Sequence, residues 1–244
     1  MLLGNIAAFF DIDGTLHRDS LMIEHFKKLI KFEVIDEKYW YDQLKHTHEK
    51  WVKRKGEYDS YLLEAAQIYI DSLKGVKKEI IDYTSDRVIN LKFDKVYRYT
   101  RAMIKWHVDM GHTVIFISGS PDFLVEKMSR MYDATDYIGT KYIFEDGVFS
   151  GKIVPMWESK DKNVAIGEFI EKYDIDLSQC YAYGDTNGDL SMLKKVKHPV
   201  AINPTHELIY KIKSEPELSE KISIIVERKD VIYNLKSDIE TIEL

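Results

Sequence analysis

The stretch AAFFDIDGTLHRDSL, residues 7–21, decides how this chain is read. An apolar run ends at Phe10, two carboxylates follow one residue apart at Asp11 and Asp13, and a Gly-Thr turn comes next. Like charges this close oppose each other's ionisation, so the segment either recruits a cation or uses the tension chemically. Residues i and i+2 of an extended chain share a face, which presents both carboxylates together at the end of a strand. A lone Asp-x-Asp-Gly also opens a calcium loop or makes an ordinary turn. The calcium loop fails at its twelfth position, which needs a glutamate. That position is Met22 counted from Asp11 and Val196 counted from Asp185.

Outward from this stretch, short runs rich in β-branched and aromatic residues predict more buried strands: TVIFIS ending at Ser118, CYAYG ending at Gly184 and PVAIN ending at Asn203. Amphipathic helical patterns separate them, one stopping at Gly111 and one, DKNVAIGEFIEKYDI, preceding the CYAYG run. Strands alternating with helices predict an α/β fold, a Rossmann-like open parallel sheet with helices on both faces, whose ligands lie beyond the carboxyl ends of the strands. Between Tyr137 and Val154, Asp-Gly and Ser-Gly turn signals predict a strand plus a small hairpin. From about Asp19 to about Phe93 the chain reads helical, with breaks at Gly56 and Gly75. This predicts a helical cap, residues 19–93, inserted into a discontinuous core of residues 1–18 and 94–244, with the cap over the Asp11 turn. After about His206 the pattern predicts an edge strand and a helix.

The chain has 244 residues, 45% hydrophobic and 31% charged, enough for a substantial core. A formal charge of −6, from 35 basic and 41 acidic residues, argues against a nucleic-acid partner, and KWVKRK reads as a solvated helix face. The longest apolar runs are far shorter than the roughly 18 residues of a spanning helix. With no signal-type N-terminus, the expectation is a cytoplasmic protein without a membrane partner. The single cysteine, Cys180, excludes an internal disulfide and reads as a small buried strand residue. His46 and His48, two apart on a helix, face different directions and make a poor zinc pair. Nothing in the sequence signals an oligomeric state.

Four features fall at predicted strand ends or helix starts: Asp11 with Asp13, Ser118 with Gly119, Lys162 entering a helix, and Asp185 with Asp189 in GDTNGD. Packed together, these carboxylates call for a hard dication, and Mg²⁺ suits a few carboxylate and carbonyl oxygens with room left for phosphate. A carboxylate in such a site can attack phosphorus, and its neighbour two residues on can protonate the leaving alkoxide and later deprotonate water. A serine hydroxyl, backbone amides and an ammonium would bind the phosphoryl oxygens.

On FFDIDGTL, VIFISGS, the lysine and YAYGDTNGDLSML, in this order, the chain resembles the haloacid dehalogenase-like hydrolase superfamily, in particular its phosphoserine phosphatase-like branch with a helical cap between the first two motifs. The resemblance implies Asp11 as nucleophile, Asp13 as general acid/base, and Mg²⁺ ligation by Asp11, the Asp13 carbonyl and Asp185, supported by Asp189. It also implies a phosphate-binding lysine opening a helix, which selects Lys162 over Lys160. The expected function is hydrolysis of a small phosphomonoester through an aspartyl phosphate. The acidic residue by which phosphoserine phosphatases face the substrate's amino group aligns with Ser20, with Asp19 adjacent, so phosphoserine is a candidate only. Trp40, Trp51, Tyr58, Tyr61 and Tyr69 read as cap core, and Arg54 as exposed or holding an acidic substrate group. A phosphotransferase or mutase sharing the intermediate, and an inactive metal-binding module, are the rival readings. A dehalogenase is disfavoured by Asp13, a membrane pump by the lack of spans, and a receiver domain by the insertion and the second acidic cluster.

Overall fold

The AAFF run forms β1 (Ala7–Phe10), buried at all four positions, in a computed structural model that describes residues 4–56 and 58–242. Alternation explains its composition: Ala8 and Phe10 pack into one hydrophobic layer, Ala7 and Phe9 into the other, so each face of the strand is covered. The chain then turns helical as α1 (Leu21–Lys31), a π-helical turn at Tyr39–Leu44, α2 (Lys45–Val52), α3 (Tyr58–Leu73) and α4 (Lys78–Lys92). Gly56 and Gly75 lie in the breaks before α3 and α4, as their sequence positions predict. Beyond follow α5 (Arg98–Asp109), β2 (Thr113–Pro121), α6 (Asp122–Met131), β3 (Asp136–Glu145), β4 (Val148–Val154), α7 (Ser159–Tyr173), β5 (Tyr181–Gly184), α8 (Leu190–Lys195), β6 (His198–Ile202), α9 (His206–Ser214), α10 (Pro216–Lys221), β7 (Ser223–Arg228) and β8 (Val231–Leu235).

The eight strands form one sheet in the order β4-β3-β2-β1-β5-β6-β7-β8. Pairing is parallel from β3 to β7 and antiparallel in the two edge hairpins. After β1 the chain builds outward through β2 and β3, then returns to place β5 on the other side. The order therefore reverses at β1, and Asp11 and Asp13 follow at the crevice such a reversal opens.

Two expectations need correction. β3 is itself a parallel member of the sheet and runs directly into the hairpin with β4. Its turn is Asp146-Gly147, both at positive φ, whereas Ser150 and Gly151 lie inside β4. The C-terminal part holds two helices and two strands, because Lys229, at φ 54°, reverses the chain between β7 and β8 and splits one apolar run into a hairpin.

The helices between β1 and β2 rest on the sheet. Phe26 and Leu29 of α1, Tyr69 of α3 and Ile81 of α4 share one hydrophobic layer with Phe10, Phe116 and Tyr183. Inside it His25 is fully buried. Its Nδ1 lies 2.6 Å from the Tyr69 hydroxyl and its Nε2 lies 2.7 Å from Thr84 Oγ1. The Thr84 hydroxyl donates to the Ile80 carbonyl, so it accepts from Nε2–H, and Tyr69 donates to Nδ1. Cys180 is buried immediately before β5 and accepts from the Ala7 N–H. Among the described residues no helix is long and apolar enough to cross a membrane.

Candidate active site

Asp11 is fixed at the end of β1 by its N–H, which donates to the Tyr183 carbonyl at 3.0 Å. Its Oδ1 accepts from the Lys162 ammonium at 2.7 Å. Burial pushes the Asp11 carboxyl up, to about 8, with Lys162 pulling it down and Asp189 and Asp13 pushing it up. Lys162 reaches the site because α7 buries the stripe Lys162, Ala165, Ile166 and Phe169, the spacing of one helix face. Lys160 lies off that stripe, is exposed and pairs with Glu158 at 2.8 Å. Besides Asp11, the Lys162 ammonium donates to Asp189 Oδ1 at 2.6 Å and to the Ile117 carbonyl at 3.1 Å. Burial alone would lower its pKa; the carboxylates of Asp11 and Asp189 outweigh burial and hold it charged, above the ordinary lysine value.

Asp13 is held differently. Its Oδ1 accepts from the Leu21 N–H at 2.9 Å, and its Oδ2 accepts from the hydroxyls of Ser120 at 2.5 Å and Ser20 at 3.2 Å. Burial raises its pKa and these hydrogen bonds oppose the rise. Ser20 thus bridges the helix start and the carboxylate, since its oxygen also caps α1 by accepting from the Ile23 N–H. Ser118 is buried, and its oxygen accepts from the Ser120 N–H at 3.3 Å. Gly119 lies beside it, its carbonyl accepting from Thr140.

The second acidic pair closes the site from β5. Asp185 Oδ1 accepts from the Thr15 hydroxyl at 2.8 Å. Burial raises its pKa well above the usual carboxylate range, and Asp11 and Asp189 raise it further. Asp189 is fully buried with both oxygens occupied, Oδ1 by Lys162 and Oδ2 by the N–H groups of Asp185 and Thr186. Gly14, at φ +85°, lies so close to Asp185 that a Cβ there would stand 2.1 Å from Oδ2. A residue with a side chain would expel Asp185, which gives the glycine of Asp-x-Asp-Gly its physical reason.

Carboxylate oxygens of Asp11, Asp185 and Asp189 lie within 4.8 Å of one another, a group able to hold a metal ion. Asp11 Oδ2 and Asp185 Oδ2 accept no hydrogen bond from a described residue. Three buried carboxylates this close repel one another, and an all-oxygen donor set of this kind fits a hard dication.

The haloacid dehalogenase-like hydrolase profile matches residues 8–194, which include Asp11, Asp13, Ser118, Lys162, Asp185 and Asp189. The chain belongs to the haloacid dehalogenase-like hydrolase family. A Streptomyces azureus protein named for inhibition of morphological differentiation is 27% identical over 84% of this chain and 74% of its own length. A probable phosphatase of Mycobacterium tuberculosis is 24% identical over 83% of this chain and 70% of its own. A substrate-bound phosphoserine phosphatase superposes with a TM-score of 0.60 at 19% identity, covering 93% of this chain and 94% of that one, a likeness of fold.

Two cavities adjoin the carboxylates of this hydrolase. One, of 550 Å³, is lined by Asp11, Asp13, Ser118, Gly119 and Lys162. The other, of 1080 Å³, reaches Gly14 and Asp185 and extends toward α2 and α3. They share Ser20, Leu62 and Glu207. Three site residues escaped the sequence reading. Ser120 lay two positions beyond Ser118, a spacing that puts both on one face, and Thr15 stood in the first motif itself. Asn187, whose Oδ1 is buried without a partner among the described residues, had no such signal. Of the aromatic residues read as core, Tyr61 and Tyr69 are buried, and Trp40, Trp51 and Tyr58 are half-buried and packed against the same hydrophobic cluster. His48 packs between the rings of Trp40 and Tyr61.

Proposed function

We propose that this hydrolase is a Mg²⁺-dependent phosphatase that cleaves a small phosphomonoester through a phospho-Asp11 intermediate. The observation that carries this reading is the division between the two oxygens of Asp11: Lys162 holds Oδ1, while Oδ2 accepts no hydrogen bond from a described residue, in a side chain that lines a cavity large enough for a phosphoryl group. An oxygen so placed is free to attack. The relative named as a probable phosphatase supports the same reaction class.

Asp11 Oδ2 forms a bond to phosphorus as the bond from phosphorus to the ester oxygen breaks. Asp13, whose pKa burial raises, serves as the acid that donates a proton to the departing alkoxide, while Ser20, Ser120 and the Leu21 N–H hold the carboxyl in place. Water then attacks the phosphoryl group, Asp13 takes its proton, and Asp11 and inorganic phosphate are released. Lys162 and the Ser118 hydroxyl bind phosphoryl oxygens, and Asp189 positions both Lys162 and Asp185. Mg²⁺, held by Asp11, Asp185 and the Asp13 carbonyl, would neutralise charge on the phosphoryl oxygens. Helices of residues 19–93 would act as the cap that excludes bulk water, since side chains of α1, α2 and α3 line the cavities against Asp11 and Asp185.

The test is release of inorganic phosphate from a panel of small phosphomonoesters, phosphoserine included, with Mg²⁺ or with excess chelator, and with acceptor alcohols added in parallel. Mg²⁺-dependent release, absent in Asp11→Asn, is expected. Phosphoryl transfer to the alcohols in place of release would make the chain a transferase, and no reaction with any phosphomonoester would overturn the reading.

A further inference from the structure

We infer that the alcohol of the phosphomonoester carries a flat ring with hydrogen-bonding atoms on its edge, seated in the 1080 Å³ cavity against Trp51, Tyr58, Tyr61 and Tyr97. This rests on the phosphatase reading and names the class of substrate. The cavity is far larger than a serine-sized alcohol, and it reaches the site carboxylates through Gly14 and Asp185. Its walls come from two separate stretches of chain. Trp51 and Tyr58 pack together with centroids 4.9 Å apart, on α2 and the start of α3, with Tyr61 one turn on. Tyr97 stands just before α5, its N–H donating to the Leu16 carbonyl. A leaving group between these walls meets aromatic surface from both parts of the protein.

Four tyrosines elsewhere in the molecule use their hydroxyls in packing. Tyr69 bonds His25, Tyr132 donates to the Phe93 carbonyl, Tyr173 to Asp136, and Tyr183 bonds His107. Around the cavity, the hydroxyls of Tyr58, Tyr61 and Tyr97 and the indole N–H of Trp51 make no hydrogen bond to a described residue and are not among the fully buried polar atoms. A tyrosine or tryptophan taken into a core normally finds a partner for its polar atom. Four rings that line one cavity with these donors unused by described residues offer aromatic surface and donors together, the combination that recognises a planar heterocycle and gives little to a small aliphatic alcohol.

The experiment compares kcat/KM for ethyl phosphate, 2-cyclohexylethyl phosphate and 2-(pyridin-3-yl)ethyl phosphate, primary-alkyl esters that differ in the appended group. The pyridyl ester is expected to exceed both others at least tenfold, mainly through KM. Trp51→Ala and Tyr97→Ala are expected to reduce the pyridyl-to-ethyl ratio severalfold. Equal values for ethyl and pyridyl esters, a cyclohexyl ester as good as the pyridyl one, or variants that lower all three esters alike would each overturn the inference. Quenching of tryptophan fluorescence by the matching non-hydrolysable phosphonates reads ring binding without turnover. Tighter binding of the pyridyl phosphonate than of the ethyl one is expected there, and equal binding counts against the ring site. If no ester is hydrolysed, the phosphatase reading falls, and the phosphonate comparison still decides the ring site.

Discussion

Two buried polar clusters in this molecule obey opposite rules. Around His25 every polar atom is answered: one ring nitrogen meets the Tyr69 hydroxyl, the other Thr84, and Thr84 in turn meets a helix carbonyl. Around Asp11 the count is left open, because Asp11 and Asp185 each retain an oxygen that no described residue bonds. A closed network rigidifies and specifies packing, whereas a buried group left incomplete is destabilising unless something else binds it. The first cluster fastens α1, α3 and α4 to one another, and the second holds the features expected of a reaction centre.

The sharpest way to break this contrast is to remove the open oxygen. Asp11→Asn should abolish phosphate release, a fall in kcat of at least about 10⁴-fold, because a neutral amide cannot attack phosphorus. Radiolabel from a phosphate ester should no longer attach to the protein. Turnover near the unmutated rate would assign the chemistry elsewhere. Asp13→Asn should cost about 10²- to 10⁴-fold, the usual contribution of a positioned acid/base. That loss should shrink with p-nitrophenyl phosphate, whose leaving group needs no proton. An equal loss on alkyl and nitrophenyl esters would show that Asp13 acts in some other way.

A subtler intervention leaves every carboxylate in place and disturbs only their spacing. In Gly14→Ala the new Cβ would fall 2.1 Å from Asp185 Oδ2, on backbone at φ +85°. The displaced carboxylate should raise the Mg²⁺ concentration needed for half-maximal activity by about 10- to 100-fold, the range seen when groups orienting a metal ligand are disturbed. The thermal stabilisation by Mg²⁺ should shrink with it. Unchanged Mg²⁺ dependence would mean that Asp185 does not hold the ion.

The contrast also explains which parts of the site could be read from the sequence. Asp11, Asp13, Ser118 and Asp185 stand where apolar runs stop, and in a parallel sheet those stops converge on one edge, so local pattern already implied proximity. Lys162 was preferred to Lys160 through the family resemblance, in which a lysine opens a helix, and the buried stripe it shares with Ala165, Ile166 and Phe169 emerges only in the fold. Ser120 and Thr15 act through hydroxyls on neighbouring carboxylates, and a hydroxyl announces no partner until tertiary structure supplies one. The same limit applied to Trp51 and Tyr58, whose helical spacing fits a core but whose exposure is set by the cavity they face. The β7–β8 hairpin was hidden because its reversal uses Lys229 at positive φ in place of a glycine.

The closed cluster should reveal itself through pH. Burial lowers the pKa of His25 from its ordinary value to about 3, with the nearby Lys127 charge adding to the effect. The unfolded chain therefore takes up a proton at this residue below about pH 6.5 while the folded protein stays neutral there, so stability falls as pH falls. Between about pH 6.5 and the folded value the contribution approaches about 1.4 kcal/mol per pH unit. His107, likewise buried and lowered to about 3, adds a second contribution of the same sign. In His25→Leu, stability at pH 7.5 should drop by about 1–3 kcal/mol, because the Tyr69 and Thr84 hydroxyls lose their partner. Its urea midpoint should then decline less steeply between pH 6.5 and 5 than that of the unmutated chain. Measuring both proteins in chelator keeps metal release out of the comparison. Parallel slopes would show that His25 is charged in the fold or already neutral when unfolded, and the cluster would no longer stand as the satisfied counterpart of the carboxylates.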